Sequence, residues 1–280
     1  MKRYPSIPHL EDGSTVHERG HLWILEKVDG AHLRFQLQRS GAIRFGDRTR
    51  VFETPADVPE PYRHAVRHVQ ENLERAALRR AVDDVEDVVF FGEAMHRHTI
   101  DYDWERTPSF LGFDVWSADA ETFRAPDAVE GIFERLGLTP VNAVERERHT
   151  RDFDPSRYTV PQSAWYDGPA EGVVVRDKRG HRAQLLHPEF REASDPTPLE
   201  ASPDELAARY ATERRFDRLA ADLEAENRAV TFDALYDRVL DDIVREAHPR
   251  LYHDTDPVDM RAFRSAVATR LHAFVDASSQ

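Results

Sequence analysis

The chain of 280 residues contains no cysteine. This absence excludes disulfide bonds, thiolate nucleophiles and cysteine-ligated zinc sites. No apolar run approaches the roughly 18 residues that a transmembrane helix needs, and the N-terminus lacks the apolar core of a signal peptide. We therefore expect a cytoplasmic protein with no membrane partner. The hydrophobic content of 40% and the aromatic content of 10% are values of a folded globular chain.

Lysine is also scarce, because only Lys2, Lys27 and Lys178 among the 38 basic residues are lysines. The net charge is −14. An acidic, lysine-poor composition resembles that of proteins from halophilic archaea, whose cytoplasm holds salt at molar concentration. At about 1 M salt the Debye length falls to about 3 Å, so an excess of carboxylates costs little. The composition thus predicts a halophilic archaeal source, and it suggests that a lysine in a motif is needed for its amine.

The pattern of predicted elements changes once along the chain, near Ser194-Asp195-Pro196-Thr197-Pro198. Short strands, turns and two helices precede this candidate linker, and amphipathic helices follow it. We predict an α+β domain of antiparallel sheets and helices over residues 1–193, followed by a small all-α domain over residues 200–280. Three helices are expected in the second domain. The first begins at a Ser202–Glu205 capping box, and the second ends before Pro249.

The stretch Glu26-Lys27-Val28-Asp29-Gly30 lies between two predicted strands and is interpreted as the turn of a β-hairpin. It places one lysine at a strand end. An amine has an ordinary pKa of about 10.4, and desolvation or a nearby cation frees it to attack a carbonyl carbon or a phosphorus. Gly30 would let a ligand approach the backbone, and Asp29 could orient the amine or a metal-bound water.

Further polar or aromatic residues occur at or near the ends of later predicted strands. In chain order they are Arg48, Phe91-Gly92-Glu93, Phe113-Asp114 and Glu171-Gly172-Val173-Val174. With Lys27-Val28-Asp29-Gly30, this order resembles motifs I, III, IIIa and IV of the covalent nucleotidyltransferases, which are the ATP-dependent ligases and mRNA-capping enzymes. The helical tail makes the chain most similar to the RNA ligase 2-like family, since DNA ligases and capping enzymes carry a β-rich domain there.

The resemblance implies an ATP-dependent RNA ligase that joins a 3′-hydroxyl to a 5′-phosphate through lysyl-AMP and RNA-adenylate intermediates. It implies ATP and Mg²⁺ (or Mn²⁺) as cofactors. RNA is the implied partner, as a nicked duplex, a hybrid or single-stranded ends. Lys27 would be the nucleophile, Glu93 would hold the ribose, Phe113 would stack on adenine, Glu171 would bind the metal and Arg48 would contact a phosphate. The implied catalytic residues are Lys27, Arg48 and Glu171, and the implied nucleotide-binding residues are Glu26, Lys27, Asp29, Gly30, Arg48, Glu93, Phe113, Glu171, Arg182 and Gln184.

The sequence departs from this family at motif V, where members carry two lysines before a Phe-x-Glu. Here that ending is Phe190-Arg191-Glu192, and Gln184 and Leu186 occupy the lysine positions. Arg182 is the nearest cation, and strand alternation places it on the same face as Gln184. One alternative is therefore a degenerate member that binds nucleotide or RNA without efficient sealing. A second alternative, a DNA ligase, is disfavoured by the helical tail.

Two features remain outside the motifs. His96 and His98 lie two residues apart in a polar segment, a pattern more typical of a solvated strand face than of a ligand pair. The acidic net charge fits RNA binding poorly, because phosphate contacts dominate affinity. Local arginine groups could supply those contacts, for instance Arg44, Arg48 and Arg50, or Arg209, Arg214 and Arg215.

Overall fold

The computed structural model describes residues 1–10, 20–191, 201–252 and 258–278. These residues form two compact units. One comprises the described residues up to 191 apart from 96–98, and the other comprises His96–His98 with the described residues from 201 onward. The candidate linker at 194–198 lies outside the described residues. Among the helices of the described residues, none is long and apolar enough to cross a membrane.

The first unit contains two sheets in which every pair of neighbouring strands is antiparallel. The predicted α+β class is confirmed. The strands are β1 (His21–Lys27), β2 (Ala31–Leu37), β3 (Ile43–Gly46), β4 (Val51–Phe52), β5 (Val88–Ala94), β6 (Phe110–Ser117), β7 (Thr122–Phe123), β8 (Ala143–His149), β9 (Gly172–Asp177) and β10 (Arg182–Leu186). One sheet has the order β10-β9-β1-β8 and the other has the order β4-β3-β2-β5-β6-β7.

The segment that follows Lys27 connects the two sheets, so the predicted β-hairpin is wrong. β1 pairs with β8 and β9, whereas β2 pairs with β3 and β5. Local sequence cannot distinguish these cases, because a short glycine-containing connection serves both. The consequence is that Lys27 stands where the chain leaves one sheet for the other.

Three helices cover the second sheet of the first unit: α1 (Arg63–Asn72), α2 (Arg75–Ala81) and α3 (Pro126–Arg135). Alternate side chains of β2 point toward them, and Leu33, Phe35 and Leu37 are fully buried. Phe35 stacks on Phe90 of β5 with ring centroids 4.7 Å apart. Burying a side chain of this size stabilises a fold by about 1.5–3 kcal/mol. The buried face of β2 therefore fixes the strand register, and the opposite face of β2 is turned toward the other sheet.

The sequence did not predict α2 or β8. The strand β8 reads Ala-Val-Glu-Arg-Glu-Arg-His and lies at the edge of its sheet. Edge strands are commonly rich in charge, which discourages pairing with other chains. That charge hides the apolar alternation by which strands are recognised.

The second unit contains four helices in its described residues: α4 (Pro203–Tyr210), α5 (Glu213–Ala225), α6 (Phe232–Leu251) and α7 (Met260–Ser278). The capping box is confirmed, since the Ser202 N–H donates to the Glu205 carboxylate at 2.8 Å and the Glu205 N–H donates to Ser202 Oγ at 3.3 Å. A common core contains Leu206, Phe216, Val239, Ile243, Phe263, Val267 and Leu271.

Two expectations for this unit are corrected. The first predicted helix is two helices, because Thr212 interrupts it and caps α5 by accepting from the Arg215 N–H at 3.4 Å. The helix expected to end before Pro249 continues through it to Leu251. Proline removes one backbone hydrogen bond to the carbonyl four residues earlier, here that of Arg245. That carbonyl accepts from the Arg97 N–H at 2.9 Å instead.

Candidate functional site

A cavity of about 180 Å³ opens between the two sheets of the first unit. The first sheet contributes residues of β1, β9 and β10, and the second contributes residues of β2, β5 and β6. The N-terminal segment and the turn after β3 close its sides. The lining residues are Tyr4, Pro5, Ser6, Ile7, Leu25, Glu26, Lys27, Val28, His32, Arg48, Glu93, Phe113, Val141, Val174, Arg176 and Gln184.

Lys27 and Glu171 form an ion pair at this cavity. Lys27 is directly opposite Gly172 in the register of β1 and β9, so the residue before Gly172 is brought beside it. Lys27 Nζ donates to Glu171 Oε1 at 2.5 Å, and the two side chains are 28% and 18% exposed. Burial raises the pKa of Glu171, and the Lys27 charge opposes that rise. The second oxygen, Glu171 Oε2, is buried without a hydrogen-bond partner and is available to a ligand.

Glu93 presents a second carboxylate to the cavity. It is opposite His32 in the register of β2 and β5. The residue is half-buried as a whole, but Oε2 is enclosed and has no hydrogen-bond partner. Burial raises the pKa of Glu93 to about 8, Lys27 opposes the rise, and the negative charges of Glu171 and Asp29 add to it. An enclosed carboxyl without a partner costs free energy unless a ligand supplies hydrogen-bond donors.

Aromatic rings form one wall of the cavity. Phe113 contacts Tyr4 edge-on with ring centroids 5.1 Å apart, and the His32 ring lies 5.8 Å from the Phe113 ring. Burial and the charges of Arg34 and Arg48 lower the pKa of His32 to about 4, so its imidazole is neutral at pH 7. Both of its ring nitrogens are buried without hydrogen-bond partners. This wall offers flat apolar faces together with unsatisfied polar atoms.

A buried ion pair holds Phe113 in position. Arg176 and Asp114 are 1% and 0% exposed, and Arg176 Nη2 donates to Asp114 Oδ1 at 3.0 Å. Arg176 Nη1 also donates to the Phe113 carbonyl at 2.9 Å, and the Tyr4 hydroxyl donates to Asp114 Oδ2 at 2.9 Å. Breaking a buried pair by removing one partner typically costs about 3–5 kcal/mol, so this arrangement fixes the aromatic wall firmly.

Arg48 brings an exposed cation to the cavity. The turn that carries it is shaped by the Asp47 carboxylate, which accepts from the backbone N–H groups of Thr49 at 2.7 Å and Arg50 at 2.6 Å. The Arg48 guanidinium makes one long hydrogen bond, 3.5 Å, to Ser6 Oγ. It can therefore turn toward an anion at small cost.

Three predicted ligand-binding residues have structural contacts in this unit. Glu26 is 2% exposed and accepts from Ser163 Oγ at 2.6 Å, Ala164 N at 3.1 Å and Asn142 Nδ2 at 3.2 Å. The Asp29 carboxylate accepts from the backbone N–H groups of residues 99 and 100 at 2.7 and 2.8 Å. A Cβ on Gly30 would lie 2.8 Å from the carbonyl oxygen of Ala94. Of these three residues, Glu26 lines the cavity and the other two do not.

The structure does not bring Arg182 to Lys27. In the register of the first sheet, Leu186 lies level with Lys27, and Arg182 is four residues further along β10, about 13 Å away at 3.3 Å per residue. Its side chain is 5% exposed, and its guanidinium lies 3.3 Å from Asp114 Oδ2 and 4.2 Å from the Phe123 ring centroid. Strand alternation indicates the face of β10 on which Arg182 lies. It does not show that the buried carboxylate of Asp114 pairs with the Arg182 guanidinium.

Gln184 does line the cavity, and its amide is already engaged. Its Nε2 donates to the carbonyl of Ile7 at 3.2 Å, and its backbone N–H donates to the carbonyl of Pro8 at 2.9 Å. The N-terminal segment therefore lies against β10 at Gln184, the position at which members of the resembled family carry a lysine. Among the lining residues the cations are Lys27, Arg48 and Arg176.

The sequence-based reasoning missed Tyr4, His32 and Arg176 as lining residues. His32 and Arg176 carried a detectable signal, since each is a polar residue of a strand that directly follows or contains a motif. Tyr4 carried none, because it lies in an irregular segment. Its contact with Phe113 joins residues that are more than one hundred positions apart in the sequence.

Comparisons with known proteins identify the family of this chain. The sequence profile of the RNA ligase family matches residues 20–190, which is more than half of the chain. No curated protein is similar to the chain at a significant level. A solved structure of a lysine-to-alanine mutant of Naegleria gruberi RNA ligase with ATP and Mn is similar, with a TM-score of 0.51 and 13% identity over 66% of this chain and 56% of that one. Naegleria gruberi RNA ligase with PPi gives 0.51 and 14% over 69% of this chain and 57% of that one.

An archaeal ATP-dependent RNA ligase is 16% identical over 100% of this chain and 67% of that one, with a TM-score of 0.49. The chain spans a little over half the length of the Naegleria chains. At such identities the likeness to the Naegleria structures shows a shared fold, the nucleotidyltransferase fold of ligases. The family profile extends over the segment that carries Lys27, Glu93, Phe113 and Glu171. On that match, the chain belongs to the RNA ligase family.

Proposed function

We propose that this protein is an ATP-dependent RNA ligase whose nucleophile is Lys27. The observation that carries the proposal is the amine of Lys27 inside the cavity, 2.5 Å from Glu171 Oε1, in a chain of the RNA ligase family. Solved relatives are described with ATP and Mn or with PPi, which supports nucleotide and divalent-cation use here. The proposed substrates are RNA ends bearing a 3′-hydroxyl and a 5′-phosphate.

In the first proposed step, the Lys27 amine attacks the α-phosphorus of ATP. A nitrogen–phosphorus bond forms, the bond from that phosphorus to the bridging oxygen breaks, and pyrophosphate leaves. The amine must lose its proton, and the proposed acceptor is Glu171 Oε1, 2.5 Å from Lys27 Nζ. Burial raises the pKa of Glu171, which makes its carboxylate a better proton acceptor.

The remaining residues of the cavity have proposed roles in positioning. Glu93 accepts hydrogen bonds from the ribose hydroxyls, Phe113 provides a face for adenine, and Arg48 contacts a phosphate. Phosphoryl transfer depends mainly on positioning and charge neutralisation, which suits a site built from preset groups. An oxygen of the RNA 5′-phosphate then attacks the phosphorus of the lysyl-AMP, so the nitrogen–phosphorus bond breaks and the Lys27 amine is released. The RNA 3′-hydroxyl next attacks the 5′-phosphorus, loses its proton and displaces AMP as the phosphodiester bond forms.

The residues present fit a divalent cation of the Mg²⁺ or Mn²⁺ type. Such ions prefer carboxylate oxygens, and Glu171 Oε2 is a buried carboxylate oxygen without a partner. Glu171 would hold the ion, which would neutralise phosphate charge when bound. Arg48, exposed at the same cavity, would add a second positive charge.

A second candidate function is nucleotide or RNA binding with little sealing. Gln184 in the cavity and Leu186 level with Lys27 favour it, because neither can neutralise a phosphate. Arg182 is held by Asp114. If ATP cannot be neutralised at its α-phosphate, the first step is slow while binding persists.

The test is incubation with α-labelled ATP and Mg²⁺, followed by denaturing electrophoresis. We expect labelled protein with the wild type and none with Lys27→Ala. Lys178→Ala is the matched control, since Lys178 pairs with Glu147 at 2.7 Å on the surface, and it should be labelled like the wild type. Label on the Lys27 variant would refute the assignment. Sealing of pre-adenylylated RNA without ATP separates a slow first step from the binding-only alternative, which predicts no sealing with either substrate.

A further inference from the structure

A cluster of three histidines lies in the second unit. His96 and His98 come from the segment that follows β5, and His248 lies on α6. One potential ligand nitrogen from each lies within 4.8 Å of the other two. The ring centroids are 4.3 Å apart for His96 and His248, 4.7 Å for His96 and His98, and 5.2 Å for His98 and His248. We propose that these three histidines bind a divalent transition-metal ion, with Zn²⁺ as the first choice.

A backbone hydrogen bond made possible by Pro249 positions the three histidines. Because proline has no N–H, the Arg245 carbonyl loses its partner within the helix. The N–H of Arg97 donates to this carbonyl at 2.9 Å. Arg97 lies between His96 and His98, and Arg245 lies three residues before His248 on the same side of α6. One hydrogen bond therefore holds the two-histidine segment against the helix face that carries the third histidine.

The geometry requires little movement to coordinate zinc. Zn–N distances are about 2.0–2.1 Å, and tetrahedral angles then place ligand nitrogens about 3.4 Å apart. The present upper limit of 4.8 Å is about 1.4 Å longer, a change that rotation of the exposed His98 and half-buried His248 side chains can supply. His248 also makes a hydrogen bond with the backbone of Arg97. Such outer bonds orient a ligating ring and leave its other nitrogen for the metal.

The donor set determines the class of ion. Three imidazoles suit zinc, copper or nickel, whereas magnesium prefers oxygen ligands. His96 is 1% exposed and His98 is exposed, so the cluster reaches from the interior to solvent. Three protein nitrogens with an open fourth position for water match the His₃ type of zinc site. None of the three histidines lines the cavity of the first unit, so this metal would be separate from the one proposed for phosphoryl transfer.

The expected consequence is stabilisation of the helical unit. A metal bound here joins segment 96–98 to α6 and binds only when both are in place. An ion that binds the folded state alone raises its stability in proportion to the logarithm of metal concentration over Kd. The four tryptophans, Trp23, Trp104, Trp116 and Trp165, all lie in the first unit. Far-ultraviolet circular dichroism, dominated by helix, is therefore the appropriate readout.

The experiment uses the full chain with any affinity tag removed and chelator-treated buffers. Zn²⁺ alone is titrated calorimetrically into wild type, His98→Ala, His248→Gln and His272→Ala. The His272 variant is the matched control, because His272 is another exposed histidine of the same unit and stacks on Phe232. Melting curves with and without Zn²⁺ accompany each titration. An excess of Mg²⁺ should not compete.

We expect one Zn²⁺ per chain for the wild type and the His272 variant. Loss of one ligand should weaken binding at least about tenfold, and Zn²⁺ should raise the melting temperature of the wild type but not of His98→Ala. His98 is exposed, so its replacement should leave the chelator-treated fold unchanged, which circular dichroism checks. Absence of stoichiometric Zn²⁺ binding by the wild type overturns the proposal. Binding that survives both ligand replacements overturns it as well, because the ion then lies elsewhere.

Discussion

Replacing Glu93 by glutamine should stabilise the first unit at and above neutral pH while it impairs use of ATP. Burial raises the pKa of Glu93 to about 8 from an ordinary value of 4.5. The folded chain thus holds a proton that the unfolded chain has already released. Stability from this group is fully present at low pH and is lost as the pH rises toward the folded pKa. Glutamine is neutral throughout and avoids the loss.

The magnitude follows from the two pKa values. Each pH unit in which one extra proton is bound by the folded state changes the free energy of unfolding by about 1.4 kcal/mol. The slope flattens as the pH approaches the folded pKa of about 8. From about pH 6.5 to about 8, the wild type should therefore lose about 1.5 kcal/mol relative to Glu93→Gln. His32 has a lowered pKa of about 4 against an ordinary 6.5, so it adds stability as the pH rises through that range. This opposite contribution is common to the wild type and Glu93→Gln, and it cancels in the comparison.

The assay is urea unfolding at constant salt, followed by tryptophan fluorescence. This signal reports the first unit alone, because all four tryptophans lie there. Glu53→Gln, which removes an exposed carboxylate from the same unit, is the matched control and should follow the wild-type slope. Equal slopes for wild type and Glu93→Gln would refute the reasoning. Improved stability should accompany weaker labelling by ATP, since the proposed ribose contact is lost.

Gln184→Lys should speed the labelling of Lys27 by ATP about ten- to a hundredfold, because one charged hydrogen bond is worth about 1.5–3 kcal/mol. An unchanged single-turnover rate of labelling would show that a missing cation at position 184 does not limit this step. A chain without residues 200–280 should still be labelled by ATP, since every lining residue of the cavity precedes them. It should seal nicked RNA poorly, and wild-type sealing would exclude a role for the helical unit in RNA binding. With a net charge of −14, the protein should lose melting temperature and activity at about 50 mM salt, where carboxylate repulsion is weakly screened; values equal to those in molar salt would contradict the halophilic interpretation.

Much of the fold could be read from local patterns. The α+β class and the Ser202–Glu205 capping box depend on residues close together in sequence. Their hydrogen bonds and apolar periodicities are local, so single-sequence reasoning reaches them. The order of the motif residues likewise predicted the family, because order along the chain is a property of sequence alone.

The sequence by itself indicated the candidate residues of the site, and the tertiary structure decided how they meet. Lys27 and Glu171 are 144 residues apart and join only through the register of β1 and β9. The environment of Arg182 is also decided by the tertiary structure, because its guanidinium pairs with the Asp114 carboxylate of a distant strand. The histidines are the clearest case, because His96 and His98 acquire a third neighbour in His248 only when α6 runs through Pro249. Such pairings depend on packing between distant elements, which no local pattern records.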